Sequence, residues 1–468
     1  MVFNSPAFLF MFLPLSLILY RLVPGQRGKN LLLGLLSLVF YAFGGLGQLP
    51  VLLGCAMWTY AFGLLLSRES GRRLCLAAAV TGVLALLGVY KYTDFVLSLL
   101  GTGSAAPRFA LPMGISFFTF HAVSYLVDVY RDRALAERRF GELFLYLAFF
   151  PRLLAGPILR WRDAAGELRS PEMRREDTAA GLRRFVLGMA KKLLLSESAA
   201  AVANAVFALP AGEVSAAAAW LGAASYCLQI FFDFSGYSDM AIGLGRCFGF
   251  TFCENFDYPY AALSLREFWR RWHMSLNRWF TDYLYIPLGG SRRGTAVTVR
   301  NTMLVFFCTG LWHGAGWTFI LWGLWHGLLV SLERLWAPGM EALGKKAAGR
   351  ALLRVYTLLA VLLGFVMFRA GSVGQGFAML GRMFSFAGGS LAAAVELRRV
   401  LTPARIGFLG LGALFSAPTA PALKKRLASL GSEAGRELAA SVLALAGLCV
   451  CVLAMAGGGF APFIYQQF

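Results

Sequence analysis

Long stretches without any charged residue most restrict what this chain can fold into. They lie at residues 1–20, 30–67, 74–90, 109–127, 214–232, 301–332, 406–423 and 438–468. A transmembrane helix needs about 20 consecutive apolar residues, so these runs predict membrane-spanning helices. A membrane β-barrel would instead show alternating segments of about ten residues. The runs are continuous, and they therefore favour helices.

The composition supports this interpretation. Only 15% of the 468 residues are charged and 58% are hydrophobic, whereas a soluble domain has about 25% charged residues. A water-soluble enzyme and a disordered chain are therefore excluded. The 44 Lys and Arg against 24 Asp and Glu give a net charge of +20. Basic residues collect in cytoplasmic loops of membrane proteins, which explains this charge better than nucleic-acid binding, since that needs a soluble basic face.

The order of runs and breaks predicts the organisation of the chain. We expect an all-α polytopic membrane protein with about 11–13 helical membrane segments, some of them re-entrant, in one domain over residues 1–468. The stretch from Gly44 to Pro50 separates two spans. Single spans are predicted near 143–159 and 181–209, and two separate spans near 214–232 and 235–250. Segment 266–280 combines aromatic and basic residues.

Segment 266–280 has helical periodicity. Steps of about 100° per residue from Trp269 place Trp272, His273 and Leu276 on one face and the arginines on the other. This pattern predicts one amphipathic helix at the membrane interface.

Four histidines are the candidates for proton chemistry, because ionisable groups at membrane depth are costly and often line functional paths. His313 lies among three glycines, and both a catalytic role and a structural hydrogen bond to a neighbouring helix are open. The same two roles are open for His273. His326 follows His313 by 13 residues, about 220° further round a continuous helix, so we expect it to face elsewhere and to be structural. We expect His121 to be a packed polar contact.

Asp233 and Asp239 lie beside aromatic residues at the expected membrane depth. They are expected to cap helix ends, the alternative being that they orient a histidine or an arginine. The eight cysteines have no CxxC spacing, so we expect no metal site. A phosphate-binding loop, a nucleophile elbow and a zinc-protease motif are missing from the sequence.

An ordered series of motifs resembles the membrane-bound O-acyltransferase (MBOAT) family, and within it the bacterial alginate O-acetyltransferase (AlgI) type. The resemblance covers about residues 90–335. Its motifs are PMGISFFTF at 112–120, FFPRLLAGPI at 149–158, the box at 233–249, NFDYPY at 255–260, FWRRWHMSL at 268–276, DYLYIPLGG at 282–290 and LWHG at 311–314.

This resemblance implies a ring of tilted helices around a central funnel or tunnel. It implies that His313 is the catalytic histidine, acting as a general base, and that His273 supports it. The expected reaction moves an acetyl group from cytoplasmic acetyl-CoA toward hydroxyls of an extracytoplasmic polysaccharide, through an SGNH-hydrolase-like partner protein. The expected location is the bacterial inner membrane. Arg270, Arg271 and Arg152 are candidates to hold CoA phosphates, although a positive-inside role fits them as well.

Three other functions remain open at this point. D-alanyl transfer to teichoic acid from a carrier protein belongs to the same family resemblance. A polysaccharide or lipid-carrier transporter belongs to another class, and it predicts internal symmetry, which the sequence does not show. A scaffold for a polymer-export complex would need no histidine.

Overall fold

The computed structural model describes residues 1–68, 70–101, 110–169, 171, 175–419, 432–457 and 463–464. Residue 109, residues 420–423 and residues 458–462 and 465–468 of the charge-free runs lie outside the described residues. Within the described ranges the chain is helical and contains no β-strand. In the part of the chain that the structure describes, five helices are long and apolar enough to cross a membrane, and two shorter ones, Phe8–Leu22 and Pro403–Ser416, are also apolar. The chain is an all-α polytopic membrane protein, as the charge-free runs predicted.

The chain divides into two compact units. Unit 1 comprises Met1–Val186, Tyr237–Glu254 and Pro462–Phe468, and unit 2 comprises Leu187–Gly236 and Asn255–Ala461. The expectation of one domain over 1–468 stays a prediction.

The helices follow in chain order. They are α1 (Leu13–Leu22, after a π-helical turn at Phe8–Phe12), α2 (Gln26–Ala42), α3 (Leu49–Leu66), α4 (Arg72–Leu99), α5 (Ile115–Arg131), α6 (Phe140–Ala148), α7 (Phe150–Leu153), α8 (Trp161–Arg169), α9 (Arg175–Ala190), α10 (Glu197–Ala208), α11 (Ala216–Cys247), α12 (Leu265–Arg271), α13 (Met274–Phe280), α14 (Thr295–His313), α15 (Trp317–Leu335), α16 (Ala337–Gly344), α17 (Ala347–Arg369), α18 (Val373–Met383), α19 (Leu391–Val400), α20 (Pro403–Ser416) and α21 (Glu433–Ala456).

Hydrogen bonds gather the basic connections of unit 1 at one end of its helices. The Arg72 guanidinium donates to the carbonyls of Val129 and Tyr130, so the connection before α4 meets the end of α5. Asn30, in the second turn of α2, donates to the Glu142 carboxylate in α6. The connections after α1, α3 and α5 therefore share one end of unit 1.

In unit 2, α14 and α15 form a tightly packed hairpin. A Cβ added at Gly310 would lie 2.4 Å from the carbonyl oxygen of Phe319, and one added at Gly323 would lie 2.3 Å from that of Phe306. Only glycine permits such an approach of two backbones. The hairpin places His313 at the end of α14, where the chain breaks before α15.

In three places the sequence predicted wrongly whether a helix continues or breaks. The separate spans near 214–232 and 235–250 are one helix, α11, because Lys192 neutralises Asp233 between them. Gly236 lets this helix pack closely, since a Cβ there would lie 2.7 Å from the Gly188 carbonyl oxygen. The span near 143–159 ends at Ala148, since Pro151 would clash with the preceding turn of a continuous helix. The amphipathic helix over 266–280 breaks at His273.

Candidate active site

His273 lies at a sharp break between α12 and α13, and its backbone is left-handed with φ +46°. A non-glycine residue in this conformation costs about 1–2 kcal/mol. Residues 255–257 hold the break in place: Met274 N–H donates to the Asn255 carbonyl, and Asp257 N–H donates to the Arg271 carbonyl, both at 3.0 Å. The strain is thus maintained by an adjacent loop, and it turns the imidazole into the interior.

The Asn255 side chain fixes which nitrogen of His273 carries the proton. Its Oδ1 accepts hydrogen bonds from the Ser275 backbone N–H at 3.1 Å and from Ser275 Oγ at 2.9 Å. The atom facing His273 is therefore an oxygen, and His273 Nδ1, at 3.2 Å, must donate to it. Burial lowers the pKa of His273 to about 3. At neutral pH the ring is neutral, with its lone pair on Nε2.

His313, the last residue of α14, is buried in an aromatic pocket. Its ring centroid lies 4.9 Å from that of Trp312, 5.1 Å from that of Trp322 and 5.3 Å from that of Phe368. All three neighbours meet it edge to face. These rings exclude water from three sides of the imidazole.

Trp312 brings the two candidate histidines into one site. The centroids of His273 and Trp312 are 6.0 Å apart, so the same indole contacts both imidazoles. His273 also lines a cavity of about 10 Å³ with Trp269, Asn277 and Thr309, which is room for about one water molecule. Thr309 lies one turn before His313 on α14. The structure therefore places both histidines in unit 2 against shared aromatic walls.

His326 shares the neighbour Trp322 with His313, so the expectation that it faces elsewhere, which assumed a continuous helix, was wrong. Its expected structural role stays a prediction. Gly314 and Gly316 have extended backbones and separate α14 from α15. The His326 ring contacts Trp322, which also contacts His313. The Trp269 indole N–H donates to His326 Nδ1 at 3.3 Å. His326 therefore positions the aromatic wall.

The three candidate arginines have different surroundings. Arg270 is exposed. Arg271 is paired with Glu267 at 2.8 Å and with Asp257 at 3.4 Å. Arg152 belongs to unit 1, where it is buried and lies 2.8 Å from His121 Nε2. His121 is therefore a buried polar contact of Arg152.

The two aspartates of the 233–249 box are not helix caps, because both lie inside α11. In unit 2, Asp233 accepts from Lys192 Nζ at 2.7 Å, and Lys192 also pairs with Glu197. In unit 1, Asp239 pairs with Arg184 at 2.9 Å. The alternative role, orienting a basic side chain, describes Asp239 correctly. Among the described residues, no three His, Cys, Asp or Glu side chains converge in a metal-binding arrangement.

Comparison with known sequences decides the family. Residues 112–373, more than half of the chain, match the profile of the membrane-bound O-acyltransferase family. The chain belongs to the membrane-bound O-acyltransferase family. This confirms the resemblance found in the motifs, and it makes the protein a membrane acyltransferase.

Similar members of the membrane-bound O-acyltransferase family differ in the group and polymer that they are named for. The probable alginate O-acetylase AlgI of Pseudomonas putida is 38% identical, with all of both chains covered. The peptidoglycan O-acetyltransferase of Helicobacter pylori is 34% identical over 84% of this chain and 81% of its own length. The teichoic acid D-alanyltransferase of Streptococcus thermophilus is 29% identical over 55% of this chain and 68% of its own.

Within this membrane-bound O-acyltransferase, sequence reasoning missed the role of Asn255. It lies in the NFDYPY motif, 18 residues before His273. A buried amide that accepts from a backbone N–H and faces a histidine is visible only when the loop is folded. The NFDYPY motif indicated that this segment matters, but the contact between Asn255 and His273 could not be predicted from it.

Proposed function

We propose that this protein transfers an acetyl group from cytoplasmic acetyl-CoA toward hydroxyls of an extracytoplasmic polysaccharide. Similarity to an alginate O-acetylase over the full length supports acetyl as the group. The observation that carries the proposal is the pair of buried histidines contacting one indole, Trp312. The proposal includes a ring of helices around a funnel, a bacterial inner-membrane location and an SGNH-hydrolase-like partner that passes the acetyl group on.

In this proposal His313 is the general base. Its imidazole takes the proton of the attacking hydroxyl, and the oxygen bonds to the thioester carbonyl carbon. The carbon–sulfur bond then breaks, and the CoA thiolate leaves with the proton held on His313. General base catalysis contributes about 10²–10⁴-fold. The C-terminal position of His313 on α14 helps, because the helix dipole favours a cation there.

His273 is proposed to support this step through its lone pair on Nε2. Asn255 holds the Nδ1–H tautomer, so Nε2 can accept a proton or a hydrogen bond in the cavity. In that cavity the neutral His273 ring would orient a hydroxyl or a water molecule by accepting its hydrogen bond, and no charged group is needed. This is the arrangement that a supporting histidine needs in an apolar site.

Among the three arginines, Arg270 is the proposed contact for a CoA phosphate. It is exposed at the end of α12, three residues before His273. Arg271 already neutralises two carboxylates. The buried Arg152 lies against His121, so its proposed role toward CoA would require the phosphate to reach an interior position.

The test is acetyl transfer from radiolabelled acetyl-CoA by detergent-purified protein, with its partner and polymer present. We expect His313→Ala to lose at least about 100-fold in rate. The control is Thr59→Ala, which removes a buried polar side chain of α3 in unit 1, outside the proposed site. Wild-type transfer by His313→Ala, with retained thermal stability, would contradict the proposal.

The same assay separates the second candidate function. The second candidate is D-alanyl transfer, and the observation in its favour is partial similarity to a teichoic acid D-alanyltransferase. Supplying a D-alanyl carrier protein in place of acetyl-CoA distinguishes the two donors. Transport into proteoliposomes without either donor would instead support a transporter.

A further inference from the structure

A wide cleft opens at the basic end of unit 1, and neither candidate histidine belongs to it. Its volume is about 870 Å³. It is lined by the connection between α1 and α2, by the connection between α5 and α6, and by the end of α8. We call it the basic cleft, because its lining includes the four exposed arginines Arg27, Arg138, Arg139 and Arg169.

The two carboxylates in the lining are already engaged by the protein. Glu137 accepts the Arg139 backbone N–H at 3.0 Å and lies 3.6 Å from the Arg169 guanidinium. Glu142 accepts from Asn30 Nδ2 at 2.7 Å. By contrast, no hydrogen bond or ion pair joins the guanidinium of Arg27 or Arg138 to a described residue, and Arg139 attracts the Glu142 carboxylate electrostatically without an ion pair in contact. The cleft therefore has net positive charge and free donors.

The backbone adds to this positive potential. The 17-residue helix α2 begins at Gln26 in the cleft wall, with no acidic residue in its first turn and no side-chain cap. Free N–H groups at such a helix start attract anions. Arg27, Arg138 and Arg139 line the same cavity, so their guanidinium donors add to the backbone donors of the helix start.

A buried polar side chain fixes the shape of the cleft. Asn30 is only 3% exposed. It accepts from Gln26 Nε2 and donates to Glu142 and to the Leu168 carbonyl, all at 2.7 Å. These bonds join α2, α6 and α8, and the three partners of Asn30 all line the cleft. These bonds hold the helices that carry the arginines in place before a ligand binds, which lowers the entropy cost of binding.

The position of the cleft indicates which class of anionic ligand it binds. Arg72 bonds to the end of α5 at the same end of unit 1, so several basic connections meet there. By the positive-inside rule such an end faces the cytoplasm. The candidate spanning helices α3 and α4 end and begin there, at Leu66 and Arg72, and the ends of spanning helices lie near the lipid headgroups. Basic pockets between transmembrane helices on that side bind anionic headgroups.

We propose that the basic cleft binds the phosphodiester of an anionic phospholipid. Guanidinium groups match phosphate oxygens in charge and geometry. This assignment is independent of acyl transfer, because its residues lie outside the proposed catalytic cluster.

The experiment measures which lipids stay bound. The full-length protein is placed in nanodiscs of equal parts phosphatidylglycerol and phosphatidylcholine, extracted in mild detergent and analysed by native mass spectrometry. We expect the wild type to retain phosphatidylglycerol and the double variant Arg27→Gln/Arg138→Gln to retain about tenfold less. The variant Arg27→Lys/Arg138→Lys keeps the charge and should retain most of it.

The control pair Arg354→Gln/Arg398→Gln removes the same charge from exposed positions of unit 2. Equal loss in both double variants, or no loss in the cleft variant, would overturn the proposal. A further arm adds free CoA. If CoA displaces phosphatidylglycerol from the wild type, and the cleft variant loses CoA binding, the phosphate belongs to the nucleotide and the lipid assignment fails.

Discussion

At the scale of single residues, the site depends on a histidine in a strained conformation. His273 has φ +46°, and its neighbours are the Asn255 amide and the rings of Phe234 and Trp312. None of these three groups is charged. An imidazolium at this position would be poorly solvated, so the folded protein holds the neutral form.

This neutral state predicts a loss of stability in acid. The pKa of His273 is about 3 in the folded protein and about 6.5 when unfolded. The pKa of His273 is lower in the folded protein than in the unfolded chain. Neutral His273 therefore contributes fully to the free energy of unfolding above about pH 6.5, and this contribution is lost as the pH falls from there toward 3. At pH 5 the loss is about 2 kcal/mol in the free energy of unfolding.

The measurement is the unfolding midpoint of wild type and His273→Asn between pH 7.5 and pH 5. Asparagine tolerates the left-handed backbone and does not titrate. We expect the variant to lose less stability on acidification. Parallel pH curves for the two proteins would show that His273 does not carry this dependence.

The sequence predicted which histidines to examine, because the motifs around 268–276 and 311–314 are local. It could not predict the tautomer of His273, which depends on a contact with Asn255, nor the place of His326. The expectation for His326 assumed one continuous helix. Two glycines with extended backbones end that helix, and local periodicity does not show where a chain turns back.

At the scale of helices, a buried ion cluster joins three segments of unit 2. Lys192 lies in a π-helical stretch, Lys191–Ser196, and pairs with Asp233 in α11 and Glu197 in α10. Charged residues inside an apolar run suggested a helix end at Asp233. Because Lys192 neutralises Asp233, the carboxylate does not have to lie at a helix end, and α11 continues through residue 233. Which lysine would neutralise the aspartate was not readable from the sequence.

Removing Lys192 alone should lower the free energy of unfolding far more than removing Lys192 and Asp233 together. Lys192→Met removes the lysine charge that balances the buried Asp233 carboxylate, which costs about 3–5 kcal/mol in the free energy of unfolding. The double variant Lys192→Met/Asp233→Leu should recover most of that loss. Denaturation of the single and double variants measures the difference, and additive losses would contradict the predicted coupling.

The hairpin of α14 and α15 gives a second prediction at this scale. Gly310→Ala places a methyl group 2.4 Å from the Phe319 carbonyl oxygen, so the helices must separate at a cost of about 1–3 kcal/mol. His313 is three residues away, and transfer activity should fall with stability. Gly88→Ala in α4 is the control, since nothing lies within 4 Å of its added Cβ. Equal melting temperatures for both variants would refute the predicted close packing.

At the scale of the whole molecule, charge and hydropathy set the orientation of the chain in the membrane. The apolar helices could be recognised from composition because lipid accepts only segments that satisfy their own backbone hydrogen bonds. The side on which each loop lies was harder to assign, since the basic connections do not alternate cleanly along the sequence. In unit 1 the hydrogen bonds of Arg72 and Asn30 gather them at one end, and that end should face the cytoplasm.

Helix α3 allows a direct test of this orientation, because it separates an uncharged turn from a basic one. A protease site inserted after Gly47 lies at one end of α3, and the same site inserted after Ser70 lies at the other. Both places are open, since a Cβ added at Gly47 or Gly71 would meet nothing within 4 Å. In intact spheroplasts, external protease should cut the Gly47 insertion and leave the Ser70 insertion intact until the membrane is permeabilised. The reverse pattern would place the arginines outside, and the cytoplasmic assignment of the basic cleft would then be wrong.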